Sequence, residues 1–192
     1  MLNKLVLDLE TQKGFQEVGG RNKNHLLKVS VAVVYSYPLN KFLVFDEKSV
    51  HKLGEMMQEA DLVIGYNLID FDYEVMRPYL NYDPRSVPTL DILKEVEKVL
   101  GHRIGLDTIA KATLKTSKIA SGADALRFWK AGDLEKLKAY CVEDVKITRD
   151  IYEYAIREGK LAYKDFFDNR EFRITFPEFQ IRTNKQKQTS LF

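Results

Sequence analysis

The segment Leu5 to Thr11 reads LVLDLET and places two carboxylates inside a run that otherwise has the character of a buried strand. Residues two apart on a strand share a face, so Leu5, Leu7 and Leu9 point one way while Val6, Asp8 and Glu10 point the other. Like charges at that spacing repel and raise each other's pKa, and burying them unpaired would cost about 3–5 kcal/mol. A metal cation between them removes that penalty. An edge strand with one solvated face removes it as well, and the segment by itself leaves both readings open.

Further acids recur at places where partners for the first two would be expected. Asn67 and the stretch NLIDFDYEVM follow the short apolar run DLVIGY, which puts them at the carboxyl end of a strand, where sites in open α/β sheets form. Asp72 is the acid expected to act there, and Asp70 reads as a helix N-cap. In AYCVEDVKI, Tyr140 and Asp144 are four residues apart and share a helix face, while Glu143 points elsewhere. Each residue alone has an ordinary reading, a solvated helical acid or a core tyrosine with a wet hydroxyl. In order along the chain, Asp8, Glu10, Asp72 and Asp144 form a set of hard oxygen donors suited to Mg²⁺ or Mn²⁺.

The order D-x-E, then N-x-x-x-F-D, then Y-x-x-x-D resembles the DEDD, or DnaQ-like, superfamily of 3′-to-5′ exonucleases. Tyr140 marks its DEDDy subclass, which includes the proofreading domains of family-B DNA polymerases. The histidine subclass would need histidine at position 139, where this chain has Ala139. LDTIAKATL and SGADALRFWKAGDLEKLKAYCVEDV are similar to exonuclease domains of this group and its stand-alone prokaryotic members. The resemblance implies a ribonuclease-H-like fold and hydrolysis of DNA from single-stranded or frayed 3′ ends by two Mg²⁺ or Mn²⁺ ions, in repair or replication. It further implies that Asp8 bridges both ions, that Glu10 and Asp144 bind the ion that activates water, and that Asp72 acts partly through water. Tyr140 would orient the nucleophile by hydrogen bonding, since a phenol of pKa about 10 is a poor base at neutral pH. Two alternatives stay open: an exoribonuclease, because no group that reads a 2′-hydroxyl is identifiable, and an inactive nucleic-acid-binding or clamp-binding module.

Positioning these residues requires particular elements. Strand signals lie at Lys4 to Glu10, Leu27 to Tyr37 and Lys41 to Asp46, followed by a helix from Ser49 to Glu59 and a strand from Asp61 to Tyr66. A helix from Phe71 to Leu80, shortened or kinked by Pro78, leads to a strand around Val87 to Ile92 and a helix to about Leu100. Helices follow at Asp107 to Leu114, Ala123 to Lys130 and Leu134 to Glu158. The expected fold is α/β, a mixed five-stranded sheet flanked by helices on both faces. Residues 1–158 would form the exonuclease domain, 159–181 a C-terminal extension with one late strand in FRITF, and 182–192 a flexible basic tail.

Composition bounds the remaining possibilities. The 192 residues are 45% hydrophobic and 30% charged, with no apolar stretch near membrane-spanning length. A single cysteine, Cys141, and an N-terminus without a signal-peptide pattern suit a reducing cytoplasm. A net charge of +2 means that any basic surface is local. Thr11, Arg21 and Lys23, in or beside the loop after the first strand, are candidate contacts to nucleic acid, and Asn67 is the better-placed one. Phe15 has two roles open to it, stacking on a base or plugging the core. The terminal QTSLF holds Gln188, Leu191 and Phe192 in a Q-x-x-L-F pattern that resembles the peptide by which bacterial replication and repair proteins bind the sliding clamp. It lacks the second aromatic residue of the longer archaeal and eukaryotic box.

Overall fold

In the computed structural model, which describes residues 2–116, 121–165 and 168–177, Asp8 and Glu10 lie on β1 (Lys4–Thr11). On one side β1 pairs antiparallel with β2 (Val29–Ser36), and β3 (Lys41–Phe45) lies antiparallel outside β2. On the other side β4 (Leu62–Gly65) and then β5 (Thr89–Asp91) run parallel, giving the order β3-β2-β1-β4-β5. The strand bearing the two acids is therefore interior. The edge-strand explanation of Asp8 and Glu10 does not apply.

The alternation of β1 is what divides the core. Leu5, Leu7 and Leu9 pack with Ala32, Val34 and Val63 under α1 (Val50–Glu59) and the short α2 (Tyr73–Met76). On the opposite face, Val6, Val31, Val33 and Ile64 pack against α3 (Ile92–Leu100), α4 (Leu106–Leu114), α5 (Gly122–Lys130) and α6 (Leu134–Glu158). Each fully buried Leu, Val or Ile contributes roughly 1.5–3 kcal/mol, so both faces of the sheet are strongly fixed. A one-residue slip of β1 would exchange its leucines with its acids, and the paired register from Leu5 with Ser36 to Glu10 with Val31 prevents this. The register shifts after Glu10, at the point where the acidic face ends.

Helix α6 agrees with its expected bounds because its ends are strongly signalled. The Asp133 side chain accepts the N–H of Lys136 at the start, and Gly159 takes the left-handed conformation (φ 66°) at the end. Two expectations need correction. The helix expected at Phe71 to Leu80 begins as a π-helical turn at Leu68–Asp72, continues as the four-residue α2, and closes as a 3₁₀ turn at Arg77–Tyr79 around Pro78. Asp70 is not its N-cap: Asn67 holds that place, and Asp70 pairs with Lys94 at 2.6 Å and Arg103 at 3.1 Å.

The second correction concerns the extension. FRITF is not a lone strand: β6 (Lys160–Lys164) and β7 (Asn169–Arg173) form an antiparallel hairpin, and only Phe172 and Arg173 of FRITF fall within it. The short, largely exposed β7 carries no apolar alternation that could announce it. The hairpin is fastened to the domain by Thr113, whose hydroxyl donates to the Ala162 carbonyl (3.0 Å) and accepts from the Ala162 N–H (2.9 Å). Ile174 and Phe176 join the core under α6, with Phe176 stacked on Tyr152. Residues 182–192, with Gln188, Leu191 and Phe192, lie outside the described residues. Among the described residues no helix is long and apolar enough to cross a membrane.

Candidate active site

The site forms where the end of β1 meets the middle of α6. Asp8 and Glu10 project from the same face of β1, and α6 crosses that face with Cys141 against it: the thiol donates to the Asp8 carbonyl at 3.5 Å and lies 3.7 Å from its Oδ2. Cys141 is fully buried, so this contact fixes how closely helix and strand approach. One helical turn along α6 from Tyr140 stands Asp144, whose charge acts on the Tyr140 phenol. Asp8, Glu10 and Asp144 each bring a carboxylate oxygen to within 4.8 Å of the others.

Asp72 reaches the site from the other side, through the turn after β4. It is 2% exposed, and its Oδ1 accepts the backbone N–H of Leu9 at 3.1 Å. The four acids and Tyr140 line one cleft of about 440 Å³. Apolar groups including Leu27, Phe71 and Leu126 complete part of the wall, and Gly122 and Ala123 at the start of α5 keep another part low.

The electrostatics are those of concentrated negative charge. Burial, followed by the charge of Asp8, drives the Asp72 carboxyl well above the usual carboxylate range. Burial and then Asp144 push the Tyr140 phenol up, so it keeps its proton. Burial, with Asp8 and Glu10 next in weight, does the same to the Cys141 thiol. Among the side chains lining the cleft, Lys13 is the one cation set against four carboxylates. A dense set of hard carboxylate oxygens with a surplus of negative charge is the donor set that divalent Mg²⁺ or Mn²⁺ takes, and these residues fit such ions.

The remaining sequence candidates divide. Thr11 lines the cleft, with its hydroxyl donating to the Lys13 carbonyl at 2.9 Å. Phe15 also lines it and packs edge-on against Phe71 at 6.0 Å, so it is both a wall of the cleft and a core contact. Arg21 lies over the Phe15 ring, 5.1 Å from its centroid, and neither Arg21 nor Lys23 lines the cleft. Asn67 also stands off the cleft wall, and its amide oxygen accepts a hydrogen bond from Arg103. The loop from Gln12 to Lys28 is not simply solvated: it folds into 3₁₀ turns at Phe15–Val18 and Arg21–Leu26. Its Asn24 amide donates to the Asp70 carbonyl, tying it to the turn that carries Asp72.

Two residues near the site escaped the sequence reading. Lys13 is an unremarkable loop lysine in sequence, and only the fold of the loop brings it to the cleft. Asp91 sat inside the apolar run TLDIL, the same signal that drew attention to Asp8, but it had no second acid beside it.

The family profile of the RNase_H superfamily (RNase_H_2) matches residues 5–156. Among solved structures, the chain is similar to the family B DNA polymerase from the hyperthermophilic archaeon Pyrobaculum calidifontis, with a TM-score of 0.60 and 17% sequence identity. The match covers 81% of this chain and 25% of the polymerase, so the chain spans about a quarter of that protein's length. Among curated proteins none matches significantly.

Proposed function

The chain belongs to the RNase H superfamily, and from that premise we propose that it is a metal-dependent 3′-to-5′ exonuclease of the DEDDy kind that removes nucleotides from DNA. The observation that carries the reading is the convergence of Asp8, Glu10 and Asp144 within 4.8 Å, in one cleft with Tyr140.

Asp8, Glu10 and Asp144 would hold the ions, with Asp72 completing the set from across the cleft. Two divalent ions supply, when bound, an activated water and charge neutralisation at the leaving oxygen. The chain's own residues do the remaining work. Asp72, anchored on the Leu9 amide, holds the turn side of the cleft at a fixed distance from β1. Burial and Asp144 push the Tyr140 phenol up, and its hydroxyl would orient the attacking water as a hydrogen-bonding group. Phe15, Phe71 and Leu126 offer an apolar wall to a terminal base and exclude water from one side of the cleft. Thr11 and Lys13 stand at the wall where a backbone phosphate would pass. Its test is hydrolysis of single-stranded DNA and RNA labelled at either end, with Mg²⁺ or with chelator. Faster loss of DNA, from the 3′ end and only with metal, is the expected result.

The reading extends to the pattern Gln188, Leu191 and Phe192, for which we propose a sliding clamp, bacterial or archaeal, as partner. Two apolar side chains for a hydrophobic groove and one amide for directional hydrogen bonds are what such short-peptide recognition uses. An anchor this short would bind at about micromolar strength and act by holding the nuclease near a 3′ end.

A further inference from the structure

The turn that delivers Asp72 is held by a carboxylate that the chemistry does not use. Asp91, at the end of β5, is 3% exposed. Its Oδ1 accepts the N–H groups of Asn67 (2.8 Å) and Leu93 (3.1 Å), and its Oδ2 accepts the N–H of Ile69 (3.1 Å). The bond to Leu93 caps α3. The other two bind it to a turn that is distant in sequence.

That turn has a special backbone. Asn67 has φ 72°, in the left-handed region, which asparagine enters more readily than other residues with a side chain and which alanine disfavours. With Asn67 so placed, the N–H groups of residues 67 and 69 converge on one side chain. Gly65 supports the same geometry, because a Cβ there would stand 2.4–2.7 Å from the side chain of Leu68, which packs back on the strand. From the fixed turn the chain runs through Leu68–Asp72 to the carboxylate that meets Leu9 between the two acids of β1.

We propose that Asp91 is a positioning residue for the metal site: by clamping the left-handed turn at Asn67 it sets where Asp72 meets β1. The inference rests on the metal-site reading of the acidic cluster. A carboxylate is required because both oxygens must accept. Asparagine in its place would turn an N–H donor toward either Ile69 or the Asn67 and Leu93 pair.

The test uses Mn²⁺ alone as probe, following the thermal unfolding midpoint of the full chain as Mn²⁺ is added to wild type, Asp91→Asn and Asn67→Ala. Asp91→Asn should raise the half-saturating Mn²⁺ concentration about 10-fold, the scale on which supporting residues act on metal sites. Asn67→Ala, which disfavours the left-handed turn from its other end, should shift it in the same direction. An Asp91→Asn protein that melts lower but keeps the wild-type half-saturating concentration would make Asp91 merely structural and overturn the proposal. If Asp91→Asn does not fold, an unchanged half-saturating concentration in Asn67→Ala overturns it equally. A wild-type protein that binds Mn²⁺ yet hydrolyses no nucleic acid would sink the exonuclease reading alone, with the Asp91→Asn shift still deciding the role of Asp91.

Discussion

The carboxylate of Asp72 accepts the backbone N–H of Leu9 at 3.1 Å, and Leu9 is the residue between Asp8 and Glu10. The acid contributed by the turn is thus bonded to the backbone of the strand that carries the first two. The arrangement holds like charges together through the main chain. It costs stability when no cation is present, and two of the predictions below follow from that cost.

Asp72→Asn keeps an oxygen that can accept the Leu9 N–H and removes a buried negative charge facing Asp8 and Glu10. The metal-free variant should therefore melt at a higher temperature than the metal-free parent. Its hydrolysis should fall by about 10²-fold or more, because a ligand charge is gone. Melting curves without metal and turnover with Mn²⁺ check both halves. A metal-free variant that melted lower would show that the charge is stabilising.

The pH dependence of the metal-free protein should be inverted from that of a salt-bridged one. Burial and Asp8 raise the folded-state pKa of Asp72 above its unfolded value. The folded chain then binds more protons than the unfolded chain in the window between the two, so stability falls as pH rises from about 4 through the raised pKa. Because metal binds the ionised carboxylates, the stabilisation given by added Mn²⁺ should grow over the same window. Unfolding midpoints across pH, with and without Mn²⁺, measure both slopes. Parallel curves would contradict the site.

Tyr140→Phe removes only the hydroxyl of a residue that lines the cleft one helical turn from Asp144. Turnover should fall by about 10²-fold while the half-saturating Mn²⁺ concentration stays within a factor of about 2. Unchanged turnover would reduce Tyr140 to a packing role. A large shift in Mn²⁺ demand would place it among the ligands.

Cys141 should be inert in the native protein, because it is buried and burial among the acids pushes its thiol up. Iodoacetamide should label it in denaturant and leave it unlabelled under native conditions. Rapid native labelling would mean that α6 separates from β1 far more readily than their packing allows.

Removing Gln188 to Phe192 should abolish binding to the sliding clamp in a titration and leave trimming of short oligonucleotides unchanged. Clamp binding that survives the deletion would refute the peptide's role.

The parts of the fold that sequence declared were those with strong local signals. β1 and β2 are marked by alternation or β-branched runs, and α6 by its Asp133 cap and Gly159 stop. Asp8 and Glu10 are legible because acids in an apolar run are costly, Asp72 because it follows a strand end, and Asp144 because it lies four residues from Tyr140. Less legible was anything held by distant contacts. The left-handed Asn67 turn depends on Asp91, which lies 24 residues further on. The hairpin β6-β7 depends on Thr113, and Lys13 reaches the cleft only because its loop folds back onto the domain. No periodicity within those segments records their partners.

Metal-dependent trimming from the 3′ end is tested by incubating the protein with single-stranded DNA labelled at its 5′ end, with Mg²⁺, alongside Asp8→Ala and a substrate whose 3′ terminus is blocked. The expected result is a ladder of products shortened one nucleotide at a time from the 3′ end, absent with chelator, with Asp8→Ala and with the blocked strand. A ladder that persists with Asp8→Ala, or one that forms equally on the 3′-blocked strand, would contradict it.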